Sequence, residues 1–193
     1  MNDNFLEINS WFEEMFRKKS DKRFATFRIA LNLLYQQTSH NIVETGTIRL
    51  LDDYGAGYST YIFSQFIKRY GGHIVTIDIE PRNMDVCRQI TDEFHDQITY
   101  VIDDSLHTLS QLTGWIDLLY LDSLDIPLEG DPTEAQEHNL KEFKLVEHLL
   151  HNKSIVLIDD NDFNGGKPLL TKQYLKERGW KVLLNDQQTI WIR

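Results

Sequence analysis

Cysteine is almost absent from this chain, because its 193 residues contain only Cys87, and an intramolecular disulfide is therefore excluded. So few cysteines are typical of proteins in a reducing compartment, and we expect a cytoplasmic location. The sequence also lacks an apolar run of about 18 residues, and its first residues show no basic segment followed by an apolar one. Neither a membrane span nor a secretory signal is expected.

Positive charge is scarce as well. Lys and Arg number 20 against 30 Asp and Glu, which gives a formal net charge of −10. An acidic surface repels a phosphate backbone, so nucleic acid is not an expected partner. Basic residues do cluster in residues 16–28, and we interpret that cluster as solvated helix faces.

Linker-like segments rich in Pro, Gly or Ser are missing too. The hydrophobic fraction of 41% is enough for one sizeable core, so we expect a single domain over residues 1–193. Apolar residues at helical spacing predict two amphipathic helices within residues 1–39, ahead of a core over residues 40–193. The aromatic faces of these helices suit either the core or a subunit contact, and a homodimer through them is one hypothesis.

From residue 41 onward, short apolar runs alternate with helical patterns. Continuous apolar runs are typical of parallel strands covered by helices on both faces, which predicts an α/β fold with a doubly wound, mostly parallel, seven-stranded Rossmann-like sheet. The end of the chain, residues 181–193, predicts an antiparallel hairpin. The earlier runs are NIVET (41–45), HIVTIDI (73–79), ITYVI (98–102), IDLLYLD (116–122) and SIVLID (154–159).

Acidic residues stand near or directly after the end of every one of these runs, at the edge of the sheet where ligands of such folds bind. Glycines after the first run, among them Gly46 and Gly57, allow the backbone to approach a ligand and to turn sharply. Asp78 ends the second run and is placed to accept hydrogen bonds from a ribose diol. The pattern suits NAD as well as an adenosyl ligand, but Glu44 and Asp104 would repel a pyrophosphate. A cationic sulfonium fits these acids better.

The motifs VETGT, GAGYST, VTIDIEP, DDS, IDLLYLDS and VLIDDND resemble, in order and spacing, those of class I S-adenosylmethionine-dependent methyltransferases. They are most similar to the metal-dependent small-molecule O-methyltransferases, such as the catechol and macrolide-sugar methyltransferases. The resemblance covers about residues 41–162, and the C-terminal hairpin also fits. It implies methyl transfer from S-adenosylmethionine to a hydroxyl of a small molecule (a sugar, a polyol or a natural product), with possible help from Mg²⁺.

The same resemblance assigns the cofactor-binding residues. Ordinary strand-end capping remains an alternative for Glu44 and Asp78, as does a plain helix N-cap for Ser105. The sequence departs from the family in residues 47–56, which form either a flap, a wall of the substrate site or a surface excursion. The assignments are Glu44 and Gly46 to the methionine part, Gly57, Tyr58 and Ser59 to its carboxylate end, Asp78 to the ribose, and Asp104 and Ser105 to the adenine, with Thr47 as a further cofactor-binding candidate.

A metal site is implied by the acids after the fourth and fifth runs. Asp122 matches the first metal ligand of the family, and Asp159 with Asp160, or Asp160 with Asn161, matches the second pair. Three converging carboxylates repel one another unless they are protonated or neutralised by a cation. Oxygen ligands suit Mg²⁺, although solvated loop acids would give the same pattern.

The general base of the family is not obvious in this sequence. Asp125 stands where related enzymes carry a lysine or a histidine, and it is one candidate. His138 is the other, because Glu142 follows it at helical spacing and would raise its basicity. Two alternatives to a methyltransferase remain open: an NAD(P)-dependent oxidoreductase and a non-catalytic binding protein with the same fold.

Overall fold

A computed structural model describes residues 4–19, 21–51, 58–162 and 165–193. In these ranges the chain forms seven α-helices and seven strands, and no helix is both long and apolar enough to cross a membrane. The helices are α1 (Asn4–Phe16), α2 (Phe24–Tyr35), α3 (Ser59–Tyr70), α4 (Pro81–Ile90), α5 (Ser105–Gln111), α6 (Thr133–Val146) and α7 (Leu169–Glu177). The strands are β1 (Asn41–Thr45), β2 (His73–Asp78), β3 (Ile98–Ile102), β4 (Ile116–Leu121), β5 (Leu150–Ile158), β6 (Lys181–Asn185) and β7 (Thr189–Ile192).

The strands form one sheet in the order β3-β2-β1-β4-β5-β7-β6. The strands β1 to β5 pair in parallel, whereas β7 lies antiparallel between β5 and β6. The predicted doubly wound sheet with an antiparallel C-terminal hairpin is therefore confirmed. The strand order reverses between β1 and β4, and this reversal opens a crevice at the carboxyl ends of the two strands.

One strand differs from the prediction. β5 begins at Leu150, ahead of the expected start at Ser154, and the preceding helix ends correspondingly earlier, at Val146. Leu150 is buried and pairs with Ile116, but residues 151–153 between these points are not buried. Those polar residues interrupt the apolar run, so the sequence pattern shows only the second half of the strand.

The two faces of the sheet are buried by different helices. In β4, Leu118 and Tyr120 belong to the core cluster that contains the apolar residues of α1, α2 and α3, whereas Leu119 and Leu121 belong to a second cluster with residues of α5, α6 and α7. Alternation along each strand thus places neighbouring apolar residues in separate cores. This explains why the strands read as continuous apolar runs.

The apolar face of α2 packs against the sheet of the same chain. Phe27 makes edge-on contacts with Phe63 and Tyr120, with 5.8 Å between the ring centroids in each pair. Leu31 and Leu34 are completely buried in the same cluster. The aromatic residues of this helix are therefore explained by the chain's own core. The homodimer stays a prediction, and these residues no longer support it.

We expect Phe27→Ala to lower the free energy of unfolding by about 3–5 kcal/mol, because it removes an aromatic ring from a close-packed core. Ile29→Ala on the same helix is the matched control and should cost clearly less, since Ile29 is only partly buried. Urea denaturation of both variants measures the difference. Equal losses would contradict the placement of α2 in the core.

Candidate active site

A cavity of about 390 Å³ lies at the carboxyl ends of the central parallel strands. Its volume is in the range of small-molecule sites, and its position matches the crevice where the strand order reverses. Its walls come from the segments that follow β1 to β4 and from α6. The lining residues are Gly46, Arg49, Ile77, Asp78, Ile79, Glu80, Asn83, Asp104, Ser105, Asp122, Ser123, Leu124, Asp125 and His138, and the seven predicted site residues among them are Gly46, Asp78, Asp104, Ser105, Asp122, Asp125 and His138.

The turn after β1 brings the backbone close to that of β4. Gly46 has a φ of +80°, and a Cβ atom at this position would overlap the carbonyl oxygen of Asp122. Its amide donates to the carbonyl oxygen of Ile77 at 2.8 Å, which fixes the turn against β2. Glycine is therefore required here by both the backbone conformation and the lack of space.

Asp78 organises the next part of the cavity. Its two carboxylate oxygens accept hydrogen bonds from the amide of Thr47 (3.1 Å), the amide of Glu80 (2.8 Å) and the side-chain amide of Asn83 (3.2 and 3.3 Å). The hydroxyl of Thr47 instead lies 2.9 Å from that of Thr60, inside the protein. Asp78 therefore reaches the cavity in a fixed orientation, and Thr47 contributes through its backbone.

Glu44 lies behind the cavity wall and not on it. Its side chain is fully buried, and the hydroxyl of Thr60 donates to its Oε1 atom. Burial raises the pKa of Glu44 to about 7, although hydrogen bonds from Thr60, Thr76 and Ser59 oppose the shift. Tyr58 and Ser59 are also buried, at the start of α3, whereas Gly57 lies outside the described residues together with 52–56 of the predicted insertion.

A second group of polar side chains joins the start of α5 to α6. The carboxylate of Asp104 caps α5 by accepting from the amides of Leu106 (2.7 Å) and His107 (3.2 Å). Beside this cap, the hydroxyl of Ser105 lies 3.1 Å from Nε2 of His138. The structure thus brings the predicted cofactor residues Asp104 and Ser105 next to His138, a proximity that the sequence did not indicate.

His138 and Glu142 form the predicted pair on one face of α6. Nε2 of His138 lies 3.3 Å from Oε1 of Glu142, which also accepts a hydrogen bond from the hydroxyl of Ser123 at 2.6 Å. The contact with Glu142, which is completely buried, raises the pKa of His138 above its usual value. Ser123 lines the cavity, so the pair is linked to the segment after β4.

Asp125 lines the cavity but is paired with a cation. The guanidinium of Arg49 donates to both of its carboxylate oxygens, at 2.5 and 2.7 Å. These hydrogen bonds hold the pKa of Asp125 below its usual value, so the carboxylate is a weak proton acceptor. The geometry therefore favours His138 over Asp125 as the acid–base group.

The three acids predicted to bind a metal do converge, but they converge on cations of the chain. Nζ of Lys167 lies 3.1 Å from Oδ1 of Asp122 and 3.0 Å from Oδ2 of Asp160, and Nε of Arg23 lies 2.7 Å from Oδ2 of Asp159. Within the described ranges, no group of three or more His, Cys, Asp or Glu side chains has a geometry that could hold a metal ion. The donor set therefore does not support the predicted Mg²⁺ site.

Tyr120 joins the two halves of this acid cluster, which we define as Asp122, Asp159 and Asp160. Its hydroxyl lies 2.7 Å from Oδ2 of Asp159 and 3.1 Å from Oδ2 of Asp122. Burial would raise the pKa of Asp159, but Arg23 and Tyr120 hold it below its usual value. Burial and the negative charge of Asp159 raise the pKa of Asp122 to about 7, and Lys167 offsets only part of that shift. Asp122 therefore takes up a proton more readily than Asp159.

Arg23 and Lys167 were missed at the level of sequence. Arg23 belongs to the basic stretch that we interpreted as solvated, yet only 12% of its side chain is exposed. Lys167 is 1% exposed and sits in a short segment, GGKP, that carries no recognised motif. One signal in the sequence could have indicated them. Buried carboxylates require cations, and Lys167 follows the acids of the fifth run after two glycines.

Comparison with known proteins identifies the family. Residues 53–161, more than half of the chain, match the model of a methyltransferase domain, and the chain therefore belongs to that family. A search of curated proteins found no significant match. The resemblance to class I methyltransferases is confirmed, whereas the narrower one to metal-dependent O-methyltransferases stays a prediction.

Solved structures agree on the fold. The S-adenosylhomocysteine-bound methyltransferase PaMTH1 of Podospora anserina is 16% identical, with 100% of this chain and 88% of that chain covered and a TM-score of 0.62. A methyltransferase of Geobacter sulfurreducens is 13% identical, with coverages of 97% and 88% and a TM-score of 0.58. A precorrin-6y C5,15-methyltransferase of Geobacter metallireducens is 16% identical, with coverages of 91% and 91% and a TM-score of 0.58.

Glu44 should make stability depend on pH. Between pH 4.5 and about 7 the folded chain keeps a proton that the unfolded chain has lost, so stability falls as the pH rises through this window. Glu44→Gln removes this titration. The difference in free energy of unfolding, variant minus wild type, should therefore increase by about 3 kcal/mol between pH 4.5 and pH 7. Urea denaturation at several pH values measures this gain. A difference that stays constant with pH would contradict the burial of Glu44.

Glu142 should control the titration of His138. In a proton NMR titration of the imidazole, Glu142→Gln should lower the pKa of His138, because it removes the negative partner that raises it. The control Glu137→Gln changes an exposed acid of the same helix that pairs with Lys141. If both variants shifted the pKa of His138 equally, the contact with Glu142 would not be its cause.

Proposed function

We propose that this protein transfers a methyl group from S-adenosylmethionine to an oxygen of a small molecule. The observation that carries the proposal is the convergence of Gly46, Asp78, Asp104 and Ser105 on one cavity at the carboxyl ends of the parallel strands. Membership of the methyltransferase family supports it, as does the S-adenosylhomocysteine bound to the similar PaMTH1.

Each part of the methyl donor has a matching surface in the cavity. The Asp78 carboxylate lines the cavity, and accepting from the two ribose hydroxyls requires that they take the place of the long contacts with the Asn83 side chain, at 3.2 and 3.3 Å. The glycine turn at Gly46 admits the methionine part close to the backbone. Asp104 and Ser105 flank the adenine. The carboxylates around the cavity favour a sulfonium, which is positively charged.

The reaction breaks the bond between sulfur and the methyl carbon, forms a bond between that carbon and the acceptor oxygen, and releases the hydroxyl proton. The chain contributes mainly by holding donor and acceptor in line. His138 is the group we propose to accept the proton, because it lines the cavity and Glu142 raises its basicity. Its contact with Ser105 also places it near the cofactor, so cofactor affinity must be measured alongside turnover.

The acceptor is not fixed by the fold. The structurally similar proteins include a precorrin-6y C5,15-methyltransferase, so a shared sheet does not define the atom that is methylated. For this chain, an oxygen acceptor rests on the resemblance of its motifs to the O-methyltransferases. The net charge of −10 continues to disfavour nucleic acid as the substrate.

The oxidoreductase alternative predicts a different ligand. Isothermal titration with S-adenosylhomocysteine should show binding to one site, whereas NADH should produce no binding heat. Saturation with the ligand at about 100 times its dissociation constant should raise the free energy of unfolding by about 2.7 kcal/mol. The absence of binding at millimolar S-adenosylhomocysteine would refute the proposal, and turnover with a panel of catechols and sugars would separate an enzyme from a non-catalytic binding protein.

Asp78→Asn should weaken S-adenosylhomocysteine by about tenfold to a hundredfold, because an amide cannot accept from both ribose hydroxyls. The matched control is Asp85→Asn, which changes an exposed acid of α4 that pairs with Arg88 and does not line the cavity. Calorimetry measures both affinities, and circular dichroism checks that each variant is folded. Equal effects of the two substitutions would show that Asp78 does not hold the ribose.

A further inference from the structure

The acid cluster raises the question of which cation balances it. Lys167 lies between Asp122 and Asp160 with its ammonium 3.1 and 3.0 Å from their carboxylates, and its side chain is 1% exposed. An ammonium has three donors and no acceptor, so the position between two carboxylates uses two of its three donors in charge-assisted contacts. Lys167 therefore occupies the place between these acids that a bound cation would require.

The backbone conformation around Lys167 holds the lysine in this position. The amide of Lys167 donates to the carbonyl oxygen of Asp160 at 3.0 Å, so main chain and side chain of the lysine both contact the same residue. Gly166 makes this return possible with a φ of +82°, and a Cβ atom there would lie 2.6 Å from the carbonyl oxygen of Asn161. Asp160 itself has a φ of +50°. The lysine is thus held by a specific loop conformation and not by a chance surface contact.

A divalent ion added to this arrangement would face both repulsion and a lack of ligands. The ammonium of Lys167 already takes one oxygen of Asp122 and one of Asp160, and Arg23 takes Asp159. Oδ2 of the completely buried Asp159 accepts from Arg23 and Tyr120, and its Oδ1 accepts from the amide of Asp160 at 2.8 Å, so both oxygens are already engaged. A metal ion would have to displace the lysine before it could bind.

We propose that the ammonium of Lys167 is the resident cation of the acid cluster, so that this methyltransferase-family protein needs no divalent metal, and that loss of the lysine converts the cluster into a divalent-cation site. Asp122 lines the cavity, so a hydrated ion has a route to the vacated position. Lys167 acts as a positioning residue, since it orients Asp122 at the wall of the cavity. The inference rests on the proposed function only where it expects the affinity for S-adenosylhomocysteine to be independent of a divalent metal.

The test uses Mn²⁺ as the probe, followed by calorimetry and electron paramagnetic resonance on protein first treated with EDTA. We expect no stoichiometric Mn²⁺ binding to the wild type at concentrations up to about 1 mM, and one site in Lys167→Ala with a dissociation constant at or below that level. Adding Asp160→Asn to Lys167→Ala should abolish the site. The matched control is Lys172→Ala, because Lys172 binds Asn161 at 2.7 Å in the same region and leaves the acid cluster untouched.

Two results would overturn the inference. One is a Mn²⁺ site in the wild type that Asp160→Asn removes, and the other is a folded Lys167→Ala protein that binds no Mn²⁺. The comparison of the wild type with Asp160→Asn decides whether the wild type holds a divalent metal even if Lys167→Ala does not fold. The affinity of the wild type for S-adenosylhomocysteine is measured separately in EDTA and in Mg²⁺ and should not differ. Failure to bind that ligand at all would defeat the proposed function and leave the Mn²⁺ results intact.

Discussion

The pairing of buried charges at the carboxyl ends of β4 and β5 is the constraint that connects the separate parts of this molecule. Asp159 is completely buried, and a carboxylate in that position costs several kcal/mol unless cations and hydrogen-bond donors surround it. The chain supplies Arg23 from the segment between α1 and α2, Tyr120 from β4 and Lys167 from the loop before α7. The N-terminal segment, two strands and a loop are therefore fixed relative to one another by electrostatics as well as by apolar packing.

This internal pairing divides the acids of the sheet edge into two kinds. Asp78 and Asp104 line the cavity, and their partners in the chain are backbone amides and the neutral side chain of Asn83, not cations. Asp159 and Asp160 are directed to cations of the chain. Asp122 belongs to both groups, since it lines the cavity and also contacts Lys167. A sequence in which every strand ends in acids thus encodes a ligand surface and a structural charge cluster side by side.

Most of the fold could be predicted from patterns among residues that are close together in the sequence. The apolar runs of β1 and β3 and the hairpin of β6 and β7 are visible in the sequence because burial on both faces demands continuous apolar residues. The position of His138 beside Glu142 follows from helical spacing alone. These features depend on neighbours in the chain, so they can be read without a structure.

The partners of the acid cluster depend on distant residues and could not be read in that way. Nothing near Arg23 in the sequence indicates that it leaves the solvent, and the GGKP segment resembles an ordinary surface turn until Gly166 is seen against Asn161. The sequence did show that converging carboxylates need a cation. It did not show whether that cation is a metal ion or a side chain, because both satisfy the same charge requirement.

The contact between Arg23 and Asp159 spans 136 residues, and this distance has a consequence for synthesis on the ribosome. The guanidinium emerges early, but its carboxylate partner is translated only after β1 to β4 have been made. Domains fold as units during synthesis, and contacts of large sequence separation form late because loop closure is costly. The contact between Arg23 and Asp159 can therefore form only after β5 has been translated, late in the assembly of the sheet.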